Sequence, residues 1–239
     1  MAAARDLSFP AANGRPMRAA FALPAPGGKR PGMIVVHEIF GLNDDIRRIT
    51  GRFADLGFVA LAPDLFDTGG VRALCVLRTF QALRRGDGPA FADLEAARTW
   101  LAARPEVDPT RTGVVGFCMG GGFALLYAVR APLGAAGVFY GQVPSTAAEL
   151  RGVCPVVAGY GGRDKLFAAH GRRLETHLQE LGVSHDVRMY PEAGHSFMSQ
   201  HTGLMTTLGA WGPMAVGFDP QAEADSWERM AAFFHRHLG

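Results

Sequence analysis

Gly116-Phe117-Cys118-Met119-Gly120-Gly121 lies between an apolar run at 112–115 and a helix-like run at 122–129. The order is strand, sharp turn, helix, with a cysteine at the apex. This is the pattern of a G-x-S-x-G nucleophile elbow with sulfur in place of oxygen. Gly116 and Gly120 flank the apex where strand and helix come so close that side chains would clash. The apex residue would stand at the N-terminus of the following helix, where partial positive charge favours a thiolate. The alternative is a small buried cysteine in a glycine-rich turn, a common place for a free thiol.

On either side of this stretch, strand-like and helix-like segments alternate. Upstream, residues 6–31 read as an edge hairpin turning at Asn13-Gly14, and 32–37 as a short strand buried on both faces. Residues 44–56 read as a helix stopped by Gly57, 58–62 as a strand, and 71–85 and 89–104 as helices. Downstream, strands are expected at 134–140, 154–160 and 183–190, with helices at 166–181 and 222–238. No linker or repeat divides the chain, so 1–239 reads as one domain. The alternation implies right-handed crossovers and a single-domain α/β fold, a doubly wound, mostly parallel sheet with helices on both faces. Sites in such sheets form at the carboxyl ends of the strands.

Composition narrows the function. With 48% apolar and 19% charged residues, the 239-residue chain is a folded globule rather than a disordered segment. A formal net charge of +2 gives no footprint for nucleic acid. No apolar run approaches the roughly 18 residues of a membrane span, and no secretory h-region is visible. The three cysteines, Cys75, Cys118 and Cys154, cannot all pair and lack zinc-like spacing. Free thiols in a reducing cytoplasm are the expectation, without nucleic-acid or membrane partners.

A nucleophile at the elbow needs an acid and then a histidine downstream. Asp164 follows the strand-like 155–160 in Gly161-Gly162-Arg163-Asp164, and His195 follows 187–190 in Gly194-His195-Ser196-Phe197. The glycines would let both loops turn tightly toward the elbow. His195 would take the thiol proton and return it to the leaving group; Asp164 would hold the imidazole tautomer. Each has a plainer alternative: Asp164 as a helix cap, His195 as a solvated loop histidine. His170, His177, His185, His201, His235 and His237 lack metal-site spacing and read as surface residues. The oxyanion amides are expected from Met119 and from Ile39, in the loop after the 32–37 strand.

The blocks H-E-I-F-G-L-N at 37–43, A-P-D-L-F at 62–66, D-L-E-A-A at 93–97, G-F-C-M-G-G at 116–121 and G-H-S-F at 194–197 occur in order along nearly the whole chain. Together they resemble the dienelactone hydrolase (carboxymethylenebutenolidase-like) family of α/β-hydrolases. The resemblance implies a Cys118-Asp164-His195 triad, a catalytic Glu38, a small ester or lactone substrate, and a monomer. It implies no metal or organic cofactor, since protein groups fill every role. A carboxylate beside a thiol of pKa about 8.5 could hold it neutral, then take its proton once substrate arrives. Otherwise Glu38 pairs with an arginine at its loop.

The chain departs from the family at the substrate. Ser199 stands where the family places an arginine after the histidine. Cys75 and Thr79 fall where the family's other binding residues would be, although Arg72, Arg78, Arg84 and Arg85 lie nearby. A bidentate carboxylate clamp is therefore not expected, and dienelactone itself becomes a doubtful substrate. Tyr140, Phe40, Ser196 and Phe197 are the expected pocket residues. The segment 199–220 looks expanded and reads either as an apolar lid or as a surface insertion. The rival functions are a redox sensor or ligand-binding protein using Cys118 on the same fold, and a general esterase or thioesterase.

Overall fold

The computed structural model describes residues 2–67, 72–200 and 209–239. Strands β1 (Arg5–Pro10) and β2 (Pro16–Ala22) form the hairpin, with Gly14 at positive φ in its turn. Then follow β3 (Arg30–Val36), α1 (Asp44–Asp55), β4 (Val59–Pro63), α2 (Arg72–Arg85), α3 (Pro89–Ala102) and β5 (Val107–Phe117). The chain continues through α4 (Met119–Ala128), β6 (Ala135–Phe139), β7 (Val156–Gly161), α5 (Ala168–Glu180), β8 (His185–Tyr190) and α6 (Pro220–Leu238). A 3-10 turn at Ala147–Leu150, not foreseen in the sequence, is closed by a Thr146/Glu149 capping box.

The eight strands form one sheet in the order β1-β2-β4-β3-β5-β6-β7-β8. The hairpin and its contact with β4 are antiparallel; every pair from β4 to β8 is parallel. The parallel strands carry continuous apolar runs because both faces are covered: β4, β6 and β7 are buried throughout. On one face Phe53 of α1 meets Trp227 and Phe234 of α6. On the other, α4 packs beside α2 and α3.

This order decides where a site can form. From β3 the chain crosses to β4 on one side, then returns to β5 on the other side of β3. The crevice at the carboxyl ends of β3 and β5 is thus the topological switch point. Val36 at the end of β3 is in register with Gly116 near the end of β5. The loop starting at His37 and the turn at Cys118 therefore emerge side by side.

Candidate active site

Cys118 stands at the N-cap of α4 with φ 55° and ψ −118°. A non-glycine residue at positive φ is strained and persists only where its surroundings enforce it. Here the enforcement is backbone packing. A Cβ on Gly120 would run into the Val36 and His37 carbonyls, and one on Gly116 into the Gly120 carbonyl. The Cys118 amide bonds the Phe139 carbonyl at 3.0 Å, tying the turn to β6. Among the described residues the non-glycine positions with positive φ are Cys118, Tyr140, Ser196 and Ala215. Three follow strands at this end of the sheet, and Ala215 packs against Gly194.

His195 comes to the elbow from the loop after β8, and Asp164 from the loop after β7. Nδ1 of His195 lies 2.6 Å from Oδ2 of Asp164, with His195 only 2% exposed and Asp164 wholly buried. Burial disfavours a charged imidazole. Its hydrogen bond with Asp164 and the charges of Cys118 and Asp164 outweigh it and push the His195 pKa up to about 10, while the buried Nε2 makes no hydrogen bond. Asp164 is also a cap: its Oδ1 accepts from the amides of Leu166 at 3.0 Å and Phe167 at 3.1 Å. One carboxylate oxygen thus meets the imidazole and the other the cap. Phe167 in turn lays its ring 4.9 Å from the imidazole.

The glycines of these loops act differently from the sequence reading. Gly161, Gly162 and Gly194 are not at positive φ; they allow backbone to approach backbone. A Cβ on Gly161 would strike the Gly194 carbonyl, and one on Gly194 the Ala215 carbonyl.

Glu38 is 2% exposed and accepts a 2.8 Å hydrogen bond from Ser199 Oγ. Ser199 Oγ is also 3.1 Å from the hydroxyl of the fully buried Tyr140. The neighbouring His37 locks the loop: its Nε2 accepts from the Leu65 amide at 3.0 Å, so its proton sits on Nδ1, which donates to the Glu38 carbonyl at 2.7 Å. Ile39 follows directly, in a turn closed by the Gly41 amide on the Glu38 carbonyl at 3.1 Å. Met119 opens α4, so its amide is one that a helix leaves without an internal partner.

The expected pocket residues divide into two groups. Phe40 is exposed at the rim, and Ser196 sits beside His195 at positive φ. Tyr140 and Phe197 have no exposed surface. Phe197 packs 5.2 Å from the Tyr140 ring and 5.0 Å from that of Tyr190, so it is a buttress rather than a substrate contact. Cys75 and Thr79 are also buried, with the Thr79 hydroxyl spent on the Cys75 carbonyl. Of the histidines read as surface residues, His177 is buried and His170, His185 and His237 are half-buried; the His170 Nδ1 accepts from the Val143 amide. His201 lies outside the described residues.

Residues 201–208 of the segment read as a lid are also outside the described residues. The rest of it backs the histidine loop. The His195 amide bonds the Met214 carbonyl at 2.8 Å, the Gly217 amide the His195 carbonyl at 3.1 Å, and the Asp219 amide the Phe197 carbonyl at 3.0 Å. Sequence reasoning also missed Arg48, whose Nε pairs with Asp45 while Nη2 holds the Met198 carbonyl at 3.1 Å, 150 residues away. No sequence signal marks such a contact. Among the described residues no group of three metal-ligating side chains is assembled, and no helix is long and apolar enough to cross a membrane.

A mostly parallel sheet with a strained strand–turn–helix at its switch point, and an Asp–His pair delivered from later strand ends, defines an α/β-hydrolase. Within that class the chain belongs to the dienelactone hydrolase family, whose profile matches residues 17–238. Membership makes it a hydrolase of the ester and lactone type. A Methylorubrum extorquens protein named "Putative carboxymethylenebutenolidase" is 30% identical over 236 residues, covering 90% of this chain and 75% of that one. A crystal structure of a dienelactone hydrolase-like promiscuous phosphotriesterase from metagenomic libraries superimposes with TM-score 0.80 and 30% identity, covering 99% of this chain and 98% of that one. The Pyrobaculum calidifontis esterase, at 16% identity and TM-score 0.68, covers 99% of this chain and 86% of that one and shares the fold.

Proposed function

We propose that the protein hydrolyses small esters or lactones through Cys118, with Asp164, His195 and Glu38 as its catalytic partners. The observation that carries this reading is the strained Cys118 at the start of α4, coupled to a His195 that Asp164 grips at 2.6 Å. The bond to Asp164 favours a ring that carries a proton, so the first task of His195 in this reading is to protonate the leaving group. That leaves Glu38 to accept the thiol proton.

The thiolate then adds to the substrate carbonyl, and the Met119 and Ile39 amides receive the oxyanion. Collapse expels the alkoxide or enolate, protonated by His195, and leaves a thioacyl-enzyme. The now neutral His195 takes a proton from water, the hydroxide adds to the thioester, and sulfur departs to recover its proton from Glu38. Thiolate is itself a good leaving group, so activated acyl groups such as enol lactones suit the site better than amides or alkyl esters.

A neutral substrate fits better than a carboxylate-bearing one. Ser199 and Thr79 stand where a cationic clamp would be needed, and Arg78, Arg84 and Arg85 are exposed on α2. The test is steady-state hydrolysis of a dienelactone, a neutral enol lactone, p-nitrophenyl acetate and an acyl thioester by wild type and Cys118→Ala. Turnover of the neutral lactone that disappears in Cys118→Ala is expected. A folded protein that turns over none of the four would favour the sensor, although Cys154, whose thiol burial pushes up to about 12, is a poor resolving partner.

A further inference from the structure

We infer that Ser199 and Tyr140 are positioning residues for Glu38, forming an uncharged hydroxyl relay that aims the carboxylate and sets the pH above which it can receive the Cys118 proton. The inference rests on the reading of Cys118 and Glu38 above and goes beyond it, because it gives this chain its own means of holding the base.

The direction of the relay follows from counting protons. A Glu38 carboxylate can only accept, so the single hydroxyl proton of Ser199 is committed to Oε1 at 2.8 Å. The contact of 3.1 Å between Ser199 Oγ and Tyr140 is then a bond in which the phenol donates. Tyr140 stays protonated to do so, since burial first, and then the negative charge of Glu38, hold its pKa well above the ordinary phenol value.

The relay is built into the fold. Tyr140 sits at φ 42° directly after β6, its amide bonded to the Gly159 carbonyl at 2.8 Å. Its ring is fixed between the His195 ring at 5.0 Å and the Phe197 ring at 5.2 Å. Ser199 is anchored by its amide on the Ser196 carbonyl at 2.9 Å and by Arg48 on the preceding carbonyl. All three relay groups are at most 2% exposed.

The charged and titratable groups around it come from several elements. From α1 come Asp45 and Arg48, which pair with each other, and from α6 comes Glu223, 3.6 Å from Arg48. From the elbow and later loops come Cys118, His195 and Asp164. On the Glu38 loop itself His37 is neutral, with its Nε2 3.7 Å from Asp64. A hydroxyl donor orients a carboxylate at a smaller cost in basicity than a full positive charge does.

Removing the Ser199 hydroxyl deprives the carboxylate of one donor and raises its pKa. The acid limb of kcat/KM should move up by about one to two pH units, with a loss on the order of tenfold to a hundredfold below the limb and less above it. The experiment measures pH profiles of p-nitrophenyl acetate hydrolysis, and of Cys118 alkylation by iodoacetamide. The variants are Ser199→Ala, Ser199→Thr, Tyr140→Phe and Glu38→Gln, with Cys118→Ala as control. Expected are an upward shift in Ser199→Ala, a smaller one in Tyr140→Phe, recovery in Ser199→Thr, and no effect of Ser199→Ala in a Glu38→Gln background. Cys118-dependent hydrolysis whose acid limb stays put in both Ser199→Ala and Tyr140→Phe would overturn the relay alone. Hydrolysis that survives Cys118→Ala would overturn the nucleophile assignment and the relay with it.

Discussion

Asp164 gives His195 only one of its two carboxylate oxygens. Oδ2 holds the imidazole at 2.6 Å, while Oδ1 takes the amides of Leu166 and Phe167 that lead into α5. The same side chain therefore fixes the loop and orients the imidazole. Substitutions can separate the two functions. Asp164→Asn keeps an oxygen for the cap but offers His195 an NH2 group, which favours the wrong tautomer. Activity should fall by on the order of 10³ to 10⁴, with melting temperature nearly unchanged. Asp164→Ala should lose comparable activity and also about 1 kcal/mol of stability with the cap. Paired kinetics and thermal melts check this; equal melting temperatures for the two variants would refute the division.

His195 supplies a pH prediction with a definite sign. Its folded pKa of about 10 lies above its ordinary value of 6.5. The charged ring thus adds stability that is complete below about pH 6.5 and is lost as pH rises through about 10. Cys118→Ala removes the sulfur whose charge helps raise the ring's pKa, so the His195 titration should move down. NMR titration of the ring protons in both proteins would follow it. A ring titrating at the same pH in both would show that the sulfur is not coupled to it.

Much of this was legible from residues 116–121 outward. The succession of elements and the parallel character follow from apolar runs alternating with helical periodicity, which are local signals, whereas the order of the strands in the sheet appears only in the structure. The elbow was legible because two glycines and an apex residue leave few alternatives. The Glu38–Ser199–Tyr140 chain was not. Ser199 reads in sequence only as an arginine that is missing, and its partners lie 161 and 59 residues away. The roles of Arg48 and Phe167 are invisible for the same reason: nothing in the spacing of a chain reports which carbonyl or ring a side chain reaches after folding. The loop glycines were noticed for a turning role, yet their task is close approach, which depends on a second segment.

Those close approaches predict where the fold is least forgiving. Gly120→Ala would force a methyl group against the Val36 and His37 carbonyls at the switch point. Neither strand nor helix can yield without moving Cys118. A loss of about 3 kcal/mol or more is expected, read as a shift of the urea midpoint. Gly182→Ala is the contrasting case: Gly182 has φ +65° but open space around a Cβ, so only backbone strain of about 1 kcal/mol applies. If the two variants are equally stable, close packing does not hold the elbow.

The stretch from Met214 to Asp219 should matter through its backbone. Its carbonyl and amides grip His195 and Phe197, whereas Trp211 just before it is 90% exposed. Deleting residues 203–217 would take away the Met214 and Gly217 contacts to His195, so a loss of activity in that deletion says nothing about a lid. Trp211→Ser is the cleaner variant. It removes the most exposed large apolar side chain of the described segment and leaves every contact to the histidine loop in place. We expect kcat/KM for a neutral enol lactone within about twofold of wild type, since isolated exposed side chains contribute little. A rise in KM of tenfold or more with kcat unchanged would instead give Trp211 a direct hold on the substrate, and would restore the covering role that composition alone suggested.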